Sequence, residues 1–341
     1  MGATYRAVML TGRGGLDRLE EVALPLAAPG AGEVRVRVLA AGAGHTDVTM
    51  RRGRYPFAPP YPFVPGYEVV GTVESLGARV RGLEIGQKVA ALTVHGGFAE
   101  YLVRDAGEFV PVPAGLDDAE AVALVLNYVT AYQMIHRVAR MRAGQTALVT
   151  GASGGVGTAL LELLRVADVR AVGACSDRSA GFVRSLGGEP VPARGALAPE
   201  VRRRVPNGVD AAFDGLGGAG TGACIRATRR GGVVVGYGFM AARAGGRPST
   251  MLALRGFAAL MVGAPLSGRR ASFYGVTLRY RRDPAPFRED LPRLFELLAL
   301  RRICPPIARR LPLLAVREAQ RLLEEGGVAG KIVLLRELGL S

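Results

Sequence analysis

Residues 42–48 read Gly-Ala-Gly-His-Thr-Asp-Val. A His, a Thr and an Asp in succession could supply half of a metal site, a proton relay, or the polar face of a solvated turn. Histidine titrates near neutral pH and is a common metal ligand, so the first two readings are chemically open. A second stretch, TGASGGVG at residues 150–157, suggests a different chemistry. It follows the apolar run TALVT and opens the helical run TALLELLR. Glycines in that setting permit a tight turn and let the backbone approach a pyrophosphate, while the helix N-terminus offers free N–H groups. Gly151, Ser153, Gly154, Gly155, Val156 and Gly157 are therefore read as a dinucleotide-binding turn.

The end of the next apolar run, RAVGACS, discriminates between cofactors. NAD-binding chains usually place an acid there for the ribose 2′-hydroxyl. Here Ser176 and Arg178 flank Asp177. A guanidinium forks onto phosphate oxygens, so the pair predicts NADPH, although an inward-turned Asp177 would argue the other way. Gly236 and Tyr237 end the run GGVVVGYG, and Gly215 lies in DGLGG. Ligands of doubly wound sheets sit beyond the carboxyl ends of the strands, so these turns are expected to line the cofactor.

The elements that must position these groups change character along the chain. Residues 1–120 are β-rich: EVRVRVLAAGAG, YEVVGTVESLG, QKVAALTV and GFAEYLVR follow at short spacing with Gly and Pro turns, as in a compact β-barrel. YEVVGTVESLG reads as a strand pair. From residue 117, DDAEAVALVLNYVTAYQMIHRVARM places acids first and bases last, the order a helix dipole favours. Strands and helices then alternate, with GVDAAFD as the third strand and GGVVVGYG as the fourth, which predicts a doubly wound parallel sheet. Residues 240–270 carry no clear pattern. FREDLPRLFELLALRRI and REAQRLLEEG read as helices and GKIVLLREL as a closing strand.

The chain has 341 residues, comfortable for two domains. No stretch near twenty residues lacks charge, and MGATYRAVML lacks a basic region before a long apolar one, so a cytoplasmic protein without a membrane span is expected. Cys175, Cys224 and Cys304 are scattered, which argues against a disulfide framework or a structural zinc cluster. The formal net charge is +15, and of 44 basic residues only Lys88 and Lys331 are lysines. The arginines are dispersed with no aromatic-plus-basic motif, so no nucleic-acid partner is expected, while an acidic carrier protein stays open.

With these motifs in place, the chain resembles the medium-chain dehydrogenase/reductase superfamily over nearly its whole length. PFVPGYEVVGTVESLGARVRGLEIGQKV, TGASGGVG and the closing GKIVL carry the resemblance. NYVTAY, DGLGG and VVVGYG are most similar to its zinc-free quinone oxidoreductase group, including the vesicle amine transport protein-like branch. The resemblance implies a GroES-like β-barrel catalytic domain at residues 1–121 and 279–341, a Rossmann domain at 122–278, and an active site in the cleft. It also implies a homodimer. Zinc-dependent members carry Cys-His-Thr-Asp where this chain has Gly44-His45-Thr46-Asp47, and Gly-His-Glu where it has Gly66-Tyr67-Glu68. The third ligand position falls in Val125–Leu126–Asn127. No zinc is expected. The quinone oxidoreductase pattern Asn-Phe-x-Asp is also broken, at Gly44 and His45. Asp47 is expected to be structural, satisfying nearby backbone N–H groups.

The resemblance places His45 and Thr46 at cofactor or substrate, and Tyr55 at the position of a Gly-x-Tyr-Pro tyrosine in polyketide enoyl reductases. It places Tyr67 facing the cleft, Asn127 and Thr130 beside the nicotinamide, and Lys331 near the cofactor. Without zinc, the chemistry that fits is hydride delivery to a quinone or to an α,β-unsaturated carbonyl compound (a free enone or an enoyl thioester). The charge then moves onto an oxygen held by hydrogen-bond donors. Tyr55, Tyr67, Thr46 and His45 are the candidate donors. Two alternatives stay open: a carbonyl reductase or alcohol dehydrogenase that kept a His-Thr-Asp relay, and a nucleotide-binding scaffold with little turnover.

Overall fold

Strand Glu33–Ala43 is the spine of the first of two units. Its Val34, Val36 and Val38 are buried while Arg35 and Arg37 lie between them on the other face, the alternation a half-buried strand requires. In the computed structural model, which describes residues 2–193, 195–238, 243–244, 247–248 and 250–337, this strand has three antiparallel partners. Val69–Leu76 and Lys331–Leu335 flank it, and Tyr101–Asp105 pairs with its first half. Ile307–Pro312, Lys88–Ala91 and Val110–Pro111 complete a seven-stranded sheet. A separate hairpin joins Thr4–Leu10 to Leu19–Pro25.

The register of this sheet assembles a site. Ile332 pairs with Ala43, which sets Lys331 beside Gly44 at the strand's exit. Ala41 pairs with Val69, and the Gly42 N–H donates to the Glu68 carbonyl at 3.3 Å, which sets Glu68 beside Gly42. Lys331 and Glu68, 263 positions apart, thus become neighbours through strand pairing alone. The unit comprises residues 1–129 and 284–341, and the second unit residues 130–283. The sequence placed these boundaries at 121/122 and 278/279. The reason for the first difference is that no loop marks it. Helix Asp118–Ala123 runs on through π-helical turns at Leu124–Tyr128 and Met134–Ala139 without a break.

The second unit is a six-stranded parallel sheet. In chain order its strands are Thr146–Thr150, Arg170–Cys175, Gly188–Pro192, Val209–Asp214, Thr228–Gly236 and Arg270–Phe273. Their spatial order is third, second, first, fourth, fifth, sixth. That is the dinucleotide-binding arrangement, with its switch point between the first and fourth strands. Two strands escaped the sequence reading, so GVDAAFD is the fourth strand and not the third, and GGVVVGYG the fifth. Gly188–Pro192 carries Pro190 and Pro192, which an edge strand tolerates and a sequence pattern penalises. Arg270–Phe273 is four residues at the opposite edge. Likewise YEVVGTVESLG holds one strand, Val69–Leu76, not two. The unpatterned stretch 240–270 is described as helical from Thr250 to Leu266, while residues 239–242, 245, 246 and 249 lie outside the described residues. No described helix is long and apolar enough to cross a membrane.

Candidate functional site

GAGHTDV is neither a loop nor a solvated turn. Helix His45–Arg51 begins directly after strand Glu33–Ala43, with Gly44 as its cap. The Asp47 side chain reaches back to accept the Gly44 N–H at 2.9 Å, closing the first turn. Asp47 is 1% exposed, and its second oxygen, Oδ1, has no hydrogen-bond partner among the described residues. Burial pushes its carboxyl up to about 7; the Gly44 and Gly66 N–H groups and Lys331 oppose that rise, and Glu68 adds to it. Thus only part of the expected backbone satisfaction is present. His45 is solvent-accessible yet ringed by protein, and the lost solvent lowers its pKa. Lys331 lowers it further, while a hydrogen bond to the Leu323 carbonyl opposes the shift. His45 is therefore a neutral imidazole at pH 7. Thr46 is half-buried, and its hydroxyl has no partner among the described residues.

Beside this helix start lies a buried ion pair. The Lys331 ammonium donates to Glu68 Oε1, and the other oxygen accepts the Leu126 N–H at 2.7 Å. Glu68 is fully buried and Lys331 nearly so. Burial raises the Glu68 carboxyl, with Lys331 as the opposing influence. The pair fits because residue 42 has no side chain: a Cβ at Gly42 would overlap the Glu68 carboxylate, whereas one at Gly44 would make only ordinary contact, 3.9 Å from Lys331 Nζ. Glu68 was not singled out by the sequence reading. It stood in the Gly66-Tyr67-Glu68 match without a role, and its pairing with Lys331 is set by strand register, which no local pattern encodes.

Tyr67 follows the left-handed Gly66 and is 2% exposed. Its hydroxyl lies 2.6 Å from that of Tyr55, with the rings edge to face at 6.0 Å. Tyr55 is half-buried, so it is the accessible member of a coupled phenol pair. Asn127 is buried on the continuing helix, in the same unit. The family positions for a metal hold Gly44, Tyr67 and the stretch Val125–Leu126–Asn127, which offer no thiolate or imidazole, and among the described residues no three His, Cys, Asp or Glu come together. A tetrahedral zinc site needs such donors in number, so the residues do not fit that metal.

The second unit holds the other candidate set. Gly151 adopts φ +64°, and Gly154 caps helix Gly155–Val166 without a side chain, leaving the first helical N–H groups uncapped. At Gly157 a Cβ would stand 2.8 Å from Ala152 Cα, so only glycine lets helix and strand approach this closely. Ser153 and Val156, half-buried, complete the turn. Across the switch point Asp214 is buried and fully used. It accepts the Thr150 hydroxyl at 3.0 Å, the Leu216 and Gly217 N–H groups at 3.2 and 3.0 Å, and the Thr221 hydroxyl at 2.8 Å. This cross-strand clamp, which the sequence did not disclose, fixes the turn at Gly215. Tyr237 packs on that turn: a Cβ at Gly215 would stand 2.6 Å from Tyr237 Cζ. Burial and the nearby Asp214 raise its phenol pKa, keeping it a neutral donor. Gly236 ends the strand against Leu260.

Ser176 and Arg178 are exposed just past the second strand. The Ser176 hydroxyl lies 3.1 Å from that of Ser179, and the Arg178 side chain has no partner among the described residues. The Thr130 hydroxyl is buried, and its oxygen has no partner among the described residues. A glycine cradle, an uncapped helix start, a free guanidinium and an orphaned hydroxyl all suit a phosphorylated dinucleotide.

The alcohol dehydrogenase GroES-like domain family matches residues 30–114, and the zinc-binding dehydrogenase family residues 189–334. The synaptic vesicle membrane protein VAT-1 homolog of Danio rerio is 32% identical over 343 residues, covering 98% of this chain and 70% of that protein. The chain spans between 56% and 61% of the mammalian relatives of that kind that it matches. The crystal structure of human synaptic vesicle membrane protein VAT-1 homolog-like protein superposes with a TM-score of 0.84 at 27% identity, covering 98% of this chain and 99% of that one. A mycobacterial protein complexed with NADPH gives 0.83 at 26% identity, with 97% and 99% covered.

Proposed function

Because the chain belongs to the medium-chain dehydrogenase/reductase superfamily, in its zinc-free quinone oxidoreductase and VAT-1-like group, we propose that it is an NADPH-dependent, zinc-independent reductase of quinones or α,β-unsaturated carbonyl compounds. The observation that carries this reading is the Tyr55–Tyr67 pair, two hydroxyls 2.6 Å apart where zinc-dependent members place a metal ligand.

Bound in the glycine cradle, NADPH supplies a hydride. The chain's own residues supply the rest. The N–H groups of Gly155 to Gly157 hold the pyrophosphate, and Ser176 with Arg178 holds the 2′-phosphate. Tyr55 donates to the substrate oxygen that gains charge, while Tyr67 donates to Tyr55 and strengthens it. A single well-placed donor of this kind supplies about 3 kcal/mol in comparable oxyanion sites. That suffices for an enolate or hydroquinone oxygen. A simple alkoxide is more basic and needs more stabilisation than one such donor supplies. Thr46, whose hydroxyl has no partner among the described residues, is a second donor, and the neutral His45 imidazole offers one hydrogen-bond donor and one acceptor. We place the protein in the cytoplasm and propose that it is a homodimer; the dimer reading is supported by the sheet edge at Arg270–Phe273, which has one strand neighbour among the described residues.

The test is stopped-flow loss of NADPH absorbance, with NADH in parallel, against quinones, enones, enoyl thioesters and simple ketones, with and without chelator. Chelator-insensitive oxidation by quinones or enones is expected. Tight NADPH binding with no oxidation by any class would replace this reading with the nucleotide-binding scaffold.

A further inference from the structure

We propose that a cationic cavity beside the Tyr55 loop binds the phosphate of a phosphopantetheine handle, which makes the substrate class of the site above an enoyl thioester. The inference rests on the reductase reading and deepens it. The cavity, of about 400 Å3, is lined by Arg13, Gly14, Arg52, Gly53 and Arg54. Two segments form it, and Arg51 ties them together. The Gly14 N–H donates to the Arg51 carbonyl at 2.9 Å, and Arg51 Nη1 donates to the Gly14 carbonyl at 2.8 Å. The Arg13 side chain packs over Gly53, whose φ is +66°.

The charge of this cavity is poorly compensated. Arg52 is held by Glu324 at 2.7 and 3.0 Å, the one carboxylate bonded to a lining residue among the described residues. The side chains of Arg13 and Arg54 have no ion pair or hydrogen bond among the described residues. Some exposed arginines elsewhere find acids, as Arg170 does on Glu189, Arg301 on Glu120 and Arg321 on Glu318, whereas Arg178, like Arg13 and Arg54, has none among the described residues. Two unpaired guanidinium groups at one concavity repel each other, and a phosphate that both can fork onto relieves that repulsion.

Position selects the phosphate's carrier. Arg54 directly precedes Tyr55, and Arg52 follows helix His45–Arg51, whose first residues are His45 and Thr46. That helix is about 10 Å long at seven residues. Quinones and simple enones are uncharged and short. A thioester on phosphopantetheine carries its phosphate at the far end of a long flexible arm, which suits a phosphate site set apart from the reacting carbons. Coenzyme A and an acyl carrier protein both present this handle.

The experiment compares 2-butenoyl thioesters of pantetheine, phosphopantetheine, coenzyme A and a loaded carrier protein, using the wild-type chain and an Arg13→Gln/Arg54→Gln double variant. Wild type is expected to show at least tenfold higher kcat/KM for phosphopantetheine than for pantetheine. The double variant loses that ratio while its rate with pantetheine stays unchanged, and Lys at both positions restores much of it. A further gain with coenzyme A or with the carrier protein identifies the source. Equal wild-type rates with the two pantetheine forms, or a variant slowed equally on both, overturns the inference. Turnover of quinones with all thioesters inert overturns it too, and leaves the reductase reading standing. If nothing is turned over, the reductase reading falls. Calorimetry with phosphopantetheine then decides for the site if wild type binds and the double variant does not, and against it otherwise.

Discussion

The Lys331 ammonium lies against the Glu68 carboxylate, both buried, in space that Gly42 leaves open: a Cβ there would stand 2.7 Å from Lys331 Cε. Removing one member of a buried pair strands the other charge, at about 3–5 kcal/mol. Lys331→Met and Glu68→Gln should each destabilise by roughly that amount, and the double variant by less than their sum. Gly42→Ala should cost about 1–3 kcal/mol through overpacking. Urea denaturation in a double-mutant cycle checks this, and strict additivity would refute it.

Asp47 predicts an unusual pH dependence. Its folded pKa of about 7 exceeds the ordinary aspartate value of 3.8, so the folded chain binds the proton more tightly. Stability from this group is full below about pH 4 and is lost as pH rises to about 7. Asp47→Asn keeps an acceptor for the Gly44 N–H and cannot ionise. It should match wild type near pH 4 and exceed it by a few kcal/mol at pH 8, because each tenfold difference in proton affinity between folded and unfolded chains is worth about 1.4 kcal/mol. A variant less stable than wild type at pH 8 would sink the argument.

The phenol pair should separate chemistry from binding. Tyr55→Phe removes the accessible donor and is expected to lower kcat about 100-fold, as loss of an oxyanion donor does. Tyr67→Phe removes its partner and should lower kcat less. NADPH affinity, read by fluorescence titration, should stay within about threefold in both. A parallel loss of NADPH binding would make the pair structural.

Cofactor choice should follow Arg178. Its side chain is free among the described residues, so Arg178→Ala should cost NADPH about tenfold or more in Kd, the scale of a charge-assisted hydrogen bond, and leave NADH unchanged. Equal losses for both nucleotides would remove Arg178 from the 2′-phosphate site. Gly157→Ala, by contrast, should abolish binding of both, because a Cβ there meets Ala152 backbone.

The dinucleotide turn was legible because its signals are local. Gly151 to Gly157 sit between an apolar run and a helical run, and each glycine answers a constraint set within a few residues. The edge strand Gly188–Pro192 was missed for an equally local reason: its prolines oppose the strand pattern, and only its place at the sheet margin makes them tolerable.

The residues of GAGHTDV set their own helix, since the Asp47 carboxylate returns to the Gly44 N–H three residues back. Their environment was decided elsewhere. Strand register carries Lys331 from the C-terminal part of the chain to Gly44 and sets Glu68 beside Gly42, and helix Val316–Glu325 brings the Leu323 carbonyl to His45. Sequence alone determined which chemical groups the chain possesses and the turns that short-range sterics dictate. Tertiary structure decided which groups are desolvated together, because burial and charge pairing depend on contacts across hundreds of residues that no local pattern records.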